Sequence, residues 1–107
     1  MYEKWILALD KYEKYRGSLV PSRYNLETNT RELSKKNCAC ALGVYLIEIK
    51  GISAEEIARE KFGGQQRFYD IVNADLGKDF VNEVWRINDK NQDNTFAKVK
   101  ELICSKM

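Results

Sequence analysis

Residues Cys38 to Ile49, with the sequence CACALGVYLIEI, form the least polar stretch of the chain, and Glu48 is its one charged residue. Apolar side chains fall on every side of a helical projection of this stretch, which is the pattern of a buried helix. A helix of this length spans about 18 Å, whereas the apolar core of a membrane needs about 30 Å. The stretch therefore predicts the central element of a protein core rather than a membrane span.

The second half of this stretch, from Val44 to Ile49, is also compatible with a buried strand because β-branched residues occur in it. The length of the stretch and its small residues Ala39, Ala41 and Gly43 favour a helix instead. Glycine inside a helix costs about 1 kcal/mol relative to alanine, so Gly43 predicts the close approach of another helix. We expect the central helix to end at Gly51.

The composition is that of a globular domain, because 44% of the 107 residues are hydrophobic and 32% are charged. A chain of this length predicts a single domain over residues 1–107. The formal charge of +2 is too small to indicate nucleic acid or an anionic membrane as a partner. Histidine, the commonest general base and metal ligand, does not occur in the sequence. We therefore expect neither an enzyme nor a bound cofactor.

The three cysteines, an odd number, do not predict a disulfide framework or a four-ligand zinc site. The first residues carry charges through their apolar run and lack the cleavage pattern of a secretory signal. Both observations predict a protein of the reducing cytoplasm.

The segments on either side of the central stretch carry apolar residues at three- and four-residue spacings, which indicates amphipathic helices. The predicted inward faces are Trp5, Ile6, Leu9 and Tyr12; Ile57, Ala58 and Phe62; Phe68, Ile71, Val72 and Leu76; Phe80, Val81, Val84, Trp85 and Ile87; and Phe96, Val99, Leu102 and Ile103. Together these patterns predict an all-α domain of five or six helices around a buried central helix.

Glycines and capping residues predict where the surrounding helices begin and end. The predicted boundaries are Gly17 after the first helix, Ser53 with Glu56 as a capping box, Gly77 after the stripe that starts at Phe68, and Asn94 or Thr95 before the last helix.

Residues 18–37 lose the helical period and are rich in turn-forming residues, so they predict a long loop or a small hairpin. The residues of this segment expected to pack inward are Leu19, Val20, Leu26 and Leu33. Ordered loops of this length are often functional, and tyrosine and arginine are enriched where interfaces bind most tightly. The candidate partner-binding residues are Tyr12, Tyr15, Arg16, Arg23, Tyr24 and Arg31. A solvated basic loop with its tyrosines flat against the core is the alternative.

Individual residues of the sequence suggest three other chemistries. A cysteine at a helix start, such as Cys38 or Cys40, has a lowered pKa, but Asp89 or a lysine would have to act as its base, so we favour buried thiols. The sequence Gly63-Gly64 before Arg67 resembles a phosphate-binding helix start, although an ordinary turn between helices explains it better. Stacking of single-stranded nucleic acid on the tyrosines is opposed by interleaved glutamates.

Five short motifs are spread along nearly the whole chain: Trp5 in the first helix, Arg16-Gly17-Ser18-Leu19, Cys40-Ala41-Leu42-Gly43-Val44, Ile87-Asn88-Asp89 and Phe96-Ala97-Lys98-Val99. In this order they resemble a family of small, largely uncharacterised bacteriophage-encoded proteins. The chain departs from that family in having Ala41 where a second cysteine is usual, and in a longer turn between Asp89 and Phe96. Both departures argue against a catalytic cysteine pair.

The resemblance implies a phage accessory protein in the cytoplasm of a bacterial host, where it binds and inhibits a host protein, such as an immune-defence effector, without catalysis. One alternative is a small-ligand sponge that sequesters a nucleotide-derived signal, and another is a cysteine-dependent enzyme. The candidate ligand-binding residues of the sponge are Arg16, Arg67, Asn88 and Asp89. The structural interpretation of Asn88 and Asp89 is that they staple the last helix to the corner at Arg16 and Gly17.

Overall fold

A computed structural model describes residues 2–60, 66–90 and 95–107 of the chain. Its elements follow in chain order: α1 (Tyr2–Leu9), β1 (Glu13–Lys14), β2 (Ser22–Asn25), β3 (Thr30–Leu33), β4 (Cys38–Ala39), α2 (Ala41–Glu48), α3 (Ala54–Arg59), α4 (Gln66–Leu76), α5 (Lys78–Lys90) and α6 (Ala97–Ser105). No helix in these ranges is long and apolar enough to cross a membrane.

The prediction of an all-α fold is wrong, because the described part of the chain is 57% helix but also 12% strand, in two small sheets. In the first sheet β1 pairs in parallel with β4, so that Glu13 lies opposite Cys38. In the second, β2 and β3 form an antiparallel hairpin in which Ser22 lies opposite Leu33. The fold is therefore a mixed α and β domain.

Of the two conformations expected for residues 18–37, the structure has the small hairpin. Asn25 starts its turn by accepting a hydrogen bond through Oδ1 from the backbone N–H of Glu27 at 2.9 Å. Asn29 closes the turn with a φ of 56°, a left-handed conformation that asparagine adopts more readily than most residues. Strand β3 then packs against α3. The turn contacts and the packing on α3 together explain why a segment without helical period forms a defined hairpin.

Helix α2 is the buried centre of the molecule, as predicted, and every residue from Ala41 to Leu46 is buried. It begins three residues later than the apolar stretch does, because Cys38 and Ala39 are extended in β4. The backbone N–H of Tyr15 donates to the carbonyl oxygen of Ala39 at 3.0 Å, which fixes this extended start. Pairing with a distant strand has therefore overridden the helical pattern at one end.

Gly43 lies where the backbone of another segment approaches α2 most closely. A Cβ atom at this position would be 2.2 Å from the carbonyl oxygen of Leu19. The prediction of a close neighbour is confirmed, but the neighbour is the irregular segment before β2 and not a helix. Leu19 and Val20 are both fully buried there, as predicted.

The surrounding helices follow their apolar stripes, with some different boundaries. Helix α1 ends at Leu9 and not near Gly17, which instead forms a corner with a φ of 103°. The Oγ of Ser53 accepts a hydrogen bond from the N–H of Glu56 at 3.1 Å, which confirms the predicted cap of α3. Gly77, with a φ of 89°, separates α4 from α5, as predicted.

In the second half of the chain, two predictions are wrong and others lie outside the described residues. Trp85 was expected to face inward but is 47% exposed. Thr95 does not cap the last helix, because the N-cap residue of α6 is Phe96 and has no side-chain cap hydrogen bond. The predictions for Phe62, for Gly63-Gly64 and for Asn94 lie outside the described residues.

Candidate functional site

The candidate partner-binding residues divide between two regions of the structure. Tyr12 and Tyr15 are half-buried in the segment that leads away from α1, and Arg16 is exposed beside them. Burial, together with the nearby carboxylate of Glu48 on α2, raises the pKa of Tyr12. The other candidates, Arg23, Tyr24 and Arg31, lie on the hairpin, residues 22–33, where Arg23 and Tyr24 are exposed.

The hairpin exposes an apolar side chain that the sequence analysis placed inside. Leu26, at the start of the turn, is 86% exposed, and Tyr24, on β2, is 45% exposed. Arg23, Tyr24, Asn25, Leu26, Glu27 and Glu32 together line a shallow depression of about 350 Å³. The sequence signal for this turn was Asn25, because an asparagine side chain stabilises a turn by accepting from the backbone N–H two residues further on.

Polar contacts within the hairpin hold its shape. The Nε of Arg23 donates to Oε1 of Glu32 at 3.0 Å, and Nδ2 of Asn25 donates to Oε2 of the same carboxylate at 3.4 Å. On the other strand, Arg31 donates to the Oγ of Ser22 from Nε at 3.2 Å. The guanidinium groups of Arg23 and Arg31 are therefore held in place by other residues of the hairpin.

Asn88 occupies the centre of a buried polar cluster, the Asn88 corner, which comprises residues 15–17, Ala41, Asn88 and Asp89. Its Oδ1 accepts from the backbone N–H of Ala41 at 3.0 Å. Its Nδ2 donates to the carbonyl oxygen of Tyr15 at 2.9 Å and to Oδ1 of Asp89 at 3.1 Å. Because its oxygen and both its N–H groups are engaged and it is only 1% exposed, Asn88 serves the fold here.

Asp89 joins the same corner, since its Oδ1 also accepts from the backbone N–H of Gly17 at 3.3 Å. This geometry agrees with the staple interpretation, with the difference that the side chains join α5, and not the last helix, to the corner at Gly17 and to the start of α2. Arg67 contacts a different region, where its guanidinium lies 2.6 Å from Glu60 and 3.5 Å from Glu56. Asn88 and Asp89 thus share one set of contacts, Arg67 takes part in another, and Arg16 is exposed.

The three thiols of the chain are free, and two of them are buried. Burial raises the pKa of Cys40 to about 12, and burial followed by the charge of Glu13 raises the pKa of Cys38. A raised pKa disfavours the thiolate, the species that a cysteine-dependent enzyme needs. In residues 2–60, 66–90 and 95–107, no group of three or more histidine, cysteine, aspartate or glutamate side chains is placed to hold a metal ion.

Comparison of the chain with protein-family models, with curated proteins and with solved structures finds no match. The resemblance to small phage proteins therefore stays a prediction from sequence motifs. The function of this protein has to be inferred from the geometry of its own surfaces.

Proposed function

We propose that this chain is a non-enzymatic binding protein whose hairpin contacts a bacterial host protein in the cytoplasm and inhibits it. The observation that carries the proposal is the exposure of Leu26 and Tyr24 beside Arg23 on a single hairpin. Tyrosine and arginine are among the residues that contribute most to binding when a partner buries them. Full burial of one leucine adds about 1.5–3 kcal/mol. The hairpin therefore has the composition of a contact surface.

The hairpin also has the mechanical properties that a contact surface needs. Its shape is held by Glu32, which accepts from Arg23 and Asn25, and by packing of β3 on α3. A preformed surface loses little conformational entropy on binding, which favours affinity. The exposed side chains are thus presented to a partner without being required by the core.

The partner class comes from the sequence motifs. Their resemblance to phage proteins supports a bacterial partner, such as an immune-defence effector. Tyr12, Tyr15 and Arg16 lie in the second region, outside the hairpin. The half-buried Tyr12 and Tyr15 are expected to contribute less than the hairpin, since more of their area is already removed from water.

The proposal is tested by capture of partners from a bacterial lysate, followed by titration with the purified partner. The unmodified chain should capture a protein that the double variant Tyr24→Ala with Leu26→Ser does not capture. With the purified partner, Leu26→Ser alone should raise the Kd about 10-fold or more, because one leucine is no longer buried. The activity of the partner should fall when the unmodified chain is added.

A matched control is Leu7→Ser, which changes another exposed leucine, 69% exposed on α1. This variant should capture the same partner with unchanged affinity. If the double hairpin variant keeps every partner of the unmodified chain, the hairpin is not the contact surface and the proposal is wrong.

A further inference from the structure

The packing of α4 against α5 leaves a groove at the surface, here named the Trp85 groove. Its cavity of about 270 Å³ is lined by Tyr69, Asn73, Val81, Asn82 and Trp85. Drug-sized ligands occupy pockets of roughly 300–1,000 Å³, so this space suits a smaller group such as a single planar ring system. None of these lining residues belongs to the hairpin or to the Asn88 corner.

The lining combines two aromatic rings with two carboxamides. Trp85 is 47% exposed, which leaves part of its indole ring available for stacking. The hydroxyl of Tyr69 is neutral at pH 7, as in tyrosine generally, and can donate a hydrogen bond; burial raises its pKa further, to about 12. Within the described part of the chain, the side-chain oxygen of Asn73 is buried and has no hydrogen-bond partner. A buried acceptor of this kind is destabilising, and a ligand N–H that reaches it removes the penalty.

Positive side chains lie directly beyond the indole ring. A second cavity, of about 180 Å³, is lined by Trp85, Arg86, Asp89 and Lys90. Asn82, Trp85 and Asp89 follow one another at three- and four-residue spacings, as do Asn82, Arg86 and Lys90, so one face of α5 connects the two cavities. The Oδ1 of Asp89 already accepts from Gly17 and Asn88, whereas Arg86 and Lys90 are exposed. The face thus runs from amides through an aromatic ring to cationic groups.

We propose that the Trp85 groove binds an adenine base, with Arg86 and Lys90 contacting the phosphate attached to it. A base stacks on the face of a tryptophan, and a carboxamide pairs through its donor and its acceptor with the N6 and N7 edge of adenine. Asn82 supplies such an amide at the exposed edge of the groove, and rotation of the Asn73 side chain towards the groove brings its buried, unpaired oxygen to a ligand N–H. This inference does not depend on the function proposed for the hairpin, because the two surfaces share no residue.

The test is to titrate the purified full chain with AMP, UMP and ribose 5-phosphate. Binding is measured by calorimetry and by tryptophan fluorescence. The other tryptophan, Trp5, is fully buried, so a change in emission reports on Trp85. AMP should bind about 10-fold or more tightly than UMP, and ribose 5-phosphate should not bind measurably. Equal binding of all three, no binding of AMP, or tighter binding of UMP or ribose 5-phosphate than of AMP would each overturn the proposal.

The same titration with oligo(dA) distinguishes the two sources of the base. If a free nucleotide is the ligand, AMP and oligo(dA) bind with similar affinity per site. If single-stranded nucleic acid is the ligand, oligo(dA) binds more tightly, and its affinity falls steeply with salt concentration. Either result supports an adenine nucleotide unit as the bound group.

Single-residue variants test which side chains of the groove contact AMP. Trp85→Ala should weaken AMP binding about 10-fold or more through lost stacking, and Asn82→Ala should reduce the preference for AMP over UMP. Arg86→Ala should weaken AMP binding but leave adenosine binding unchanged, which keeps the site testable if Trp85→Ala does not fold. The control is Tyr24→Ala, which removes an aromatic ring of similar exposure, 45%, from the hairpin and should not change AMP binding. Unchanged AMP affinity in folded Trp85→Ala would show that the groove is not the site.

Discussion

Around helix α2 the polar contacts come from distant parts of the chain, whereas those of the hairpin come from the hairpin itself. The indole Nε1 of Trp5 donates to the carbonyl oxygen of Ala41 at 3.0 Å, across 36 positions, and Oδ1 of Asn88 accepts from the N–H of the same residue across 47 positions. In the hairpin, Arg23 reaches Glu32 across 9 positions. The polar contacts of α2 therefore depend on distant parts of the fold, whereas the polar contacts of the hairpin form between its own residues.

This difference teaches how residues of the same type are to be interpreted. In the sequence, Asn88 and Asp89 were candidates for ligand binding, together with two arginines. Tyr24 was a candidate for partner binding, together with the arginines of the same segment. In the structure, Asn88 and Asp89 have their polar atoms engaged by backbone groups, whereas Tyr24 presents its ring to solvent. Burial and hydrogen-bond partners thus separate a structural polar cluster from an available surface.

The largest expected effect is that of Asn88→Ala. The change leaves the N–H of Ala41 and the carbonyl oxygen of Tyr15 without the partner that they have in the corner. Buried polar groups without a partner cost about 1–3 kcal/mol each, so the free energy of unfolding should fall by about 2–5 kcal/mol. Urea unfolding of the purified variant measures this loss.

The matched control is Asn82→Ala, which removes an exposed asparagine from the same helix. Its free energy of unfolding should stay within about 0.5 kcal/mol of the unmodified chain, because no buried group loses a partner. Equal losses in the two variants would mean that the corner does not stabilise the fold more than the exposed face of α5 does.

A smaller effect is expected for Gly43→Ala. The added methyl group would lie 2.2 Å from the carbonyl oxygen of Leu19, so α2 and the Leu19 segment would have to move apart. Overpacking of this kind costs about 1–3 kcal/mol. An alanine without such a neighbour would instead stabilise a helix by about 1 kcal/mol relative to glycine.

Amide hydrogen exchange identifies the cause of the Gly43→Ala effect. The N–H of Cys40 donates to the carbonyl oxygen of Leu19 at 3.0 Å, so displacement of Leu19 should speed exchange at Cys40. A more stable variant with unchanged exchange at Cys40 would contradict the close approach seen in the structure.

Sequence reasoning worked where apolar periodicity and special residues act over short distances. The stripe of α4 and its end at Gly77 needed only the helical repeat and the left-handed φ of 89° that glycine allows. The cap at Ser53 is equally local, because its partner is three residues away. The buried character of α2 followed from its composition alone.

The failures concern structure that is set by distant parts of the chain. Strand β4 is two residues long and apolar, so it carries no alternating pattern that would separate it from α2. Its conformation is set by pairing with β1, which the sequence does not encode locally. Trp85 lies four residues after the buried Val81, yet it is exposed because the Trp85 groove leaves that part of α5 uncovered. The exposed Leu26 is a different case, because the local turn that starts at Asn25 determines its position.

The smallest effect is expected for Glu32→Gln, which removes the charge that Arg23 and Asn25 contact. Both partners of the Arg23 and Glu32 ion pair are largely exposed, and exposed pairs contribute about 0.2–1 kcal/mol. The free energy of unfolding should therefore fall by no more than about 0.5 kcal/mol in 0.15 M salt, and the loss should vanish near 1 M salt because charges are screened. The loss in Asn88→Ala should persist in both conditions, since its hydrogen bond with the N–H of Ala41 is buried and joins uncharged groups.

Urea unfolding of both variants at the two salt concentrations makes this comparison directly. If Glu32→Gln cost as much as Asn88→Ala, the hairpin would be an integral part of the core and not a separately held surface. The proposal that a partner engages the hairpin would then lose its structural basis, because binding would have to disturb contacts on which the fold depends. A small, salt-sensitive loss instead means that a partner can contact the exposed side chains of the hairpin without disturbing contacts on which the fold depends.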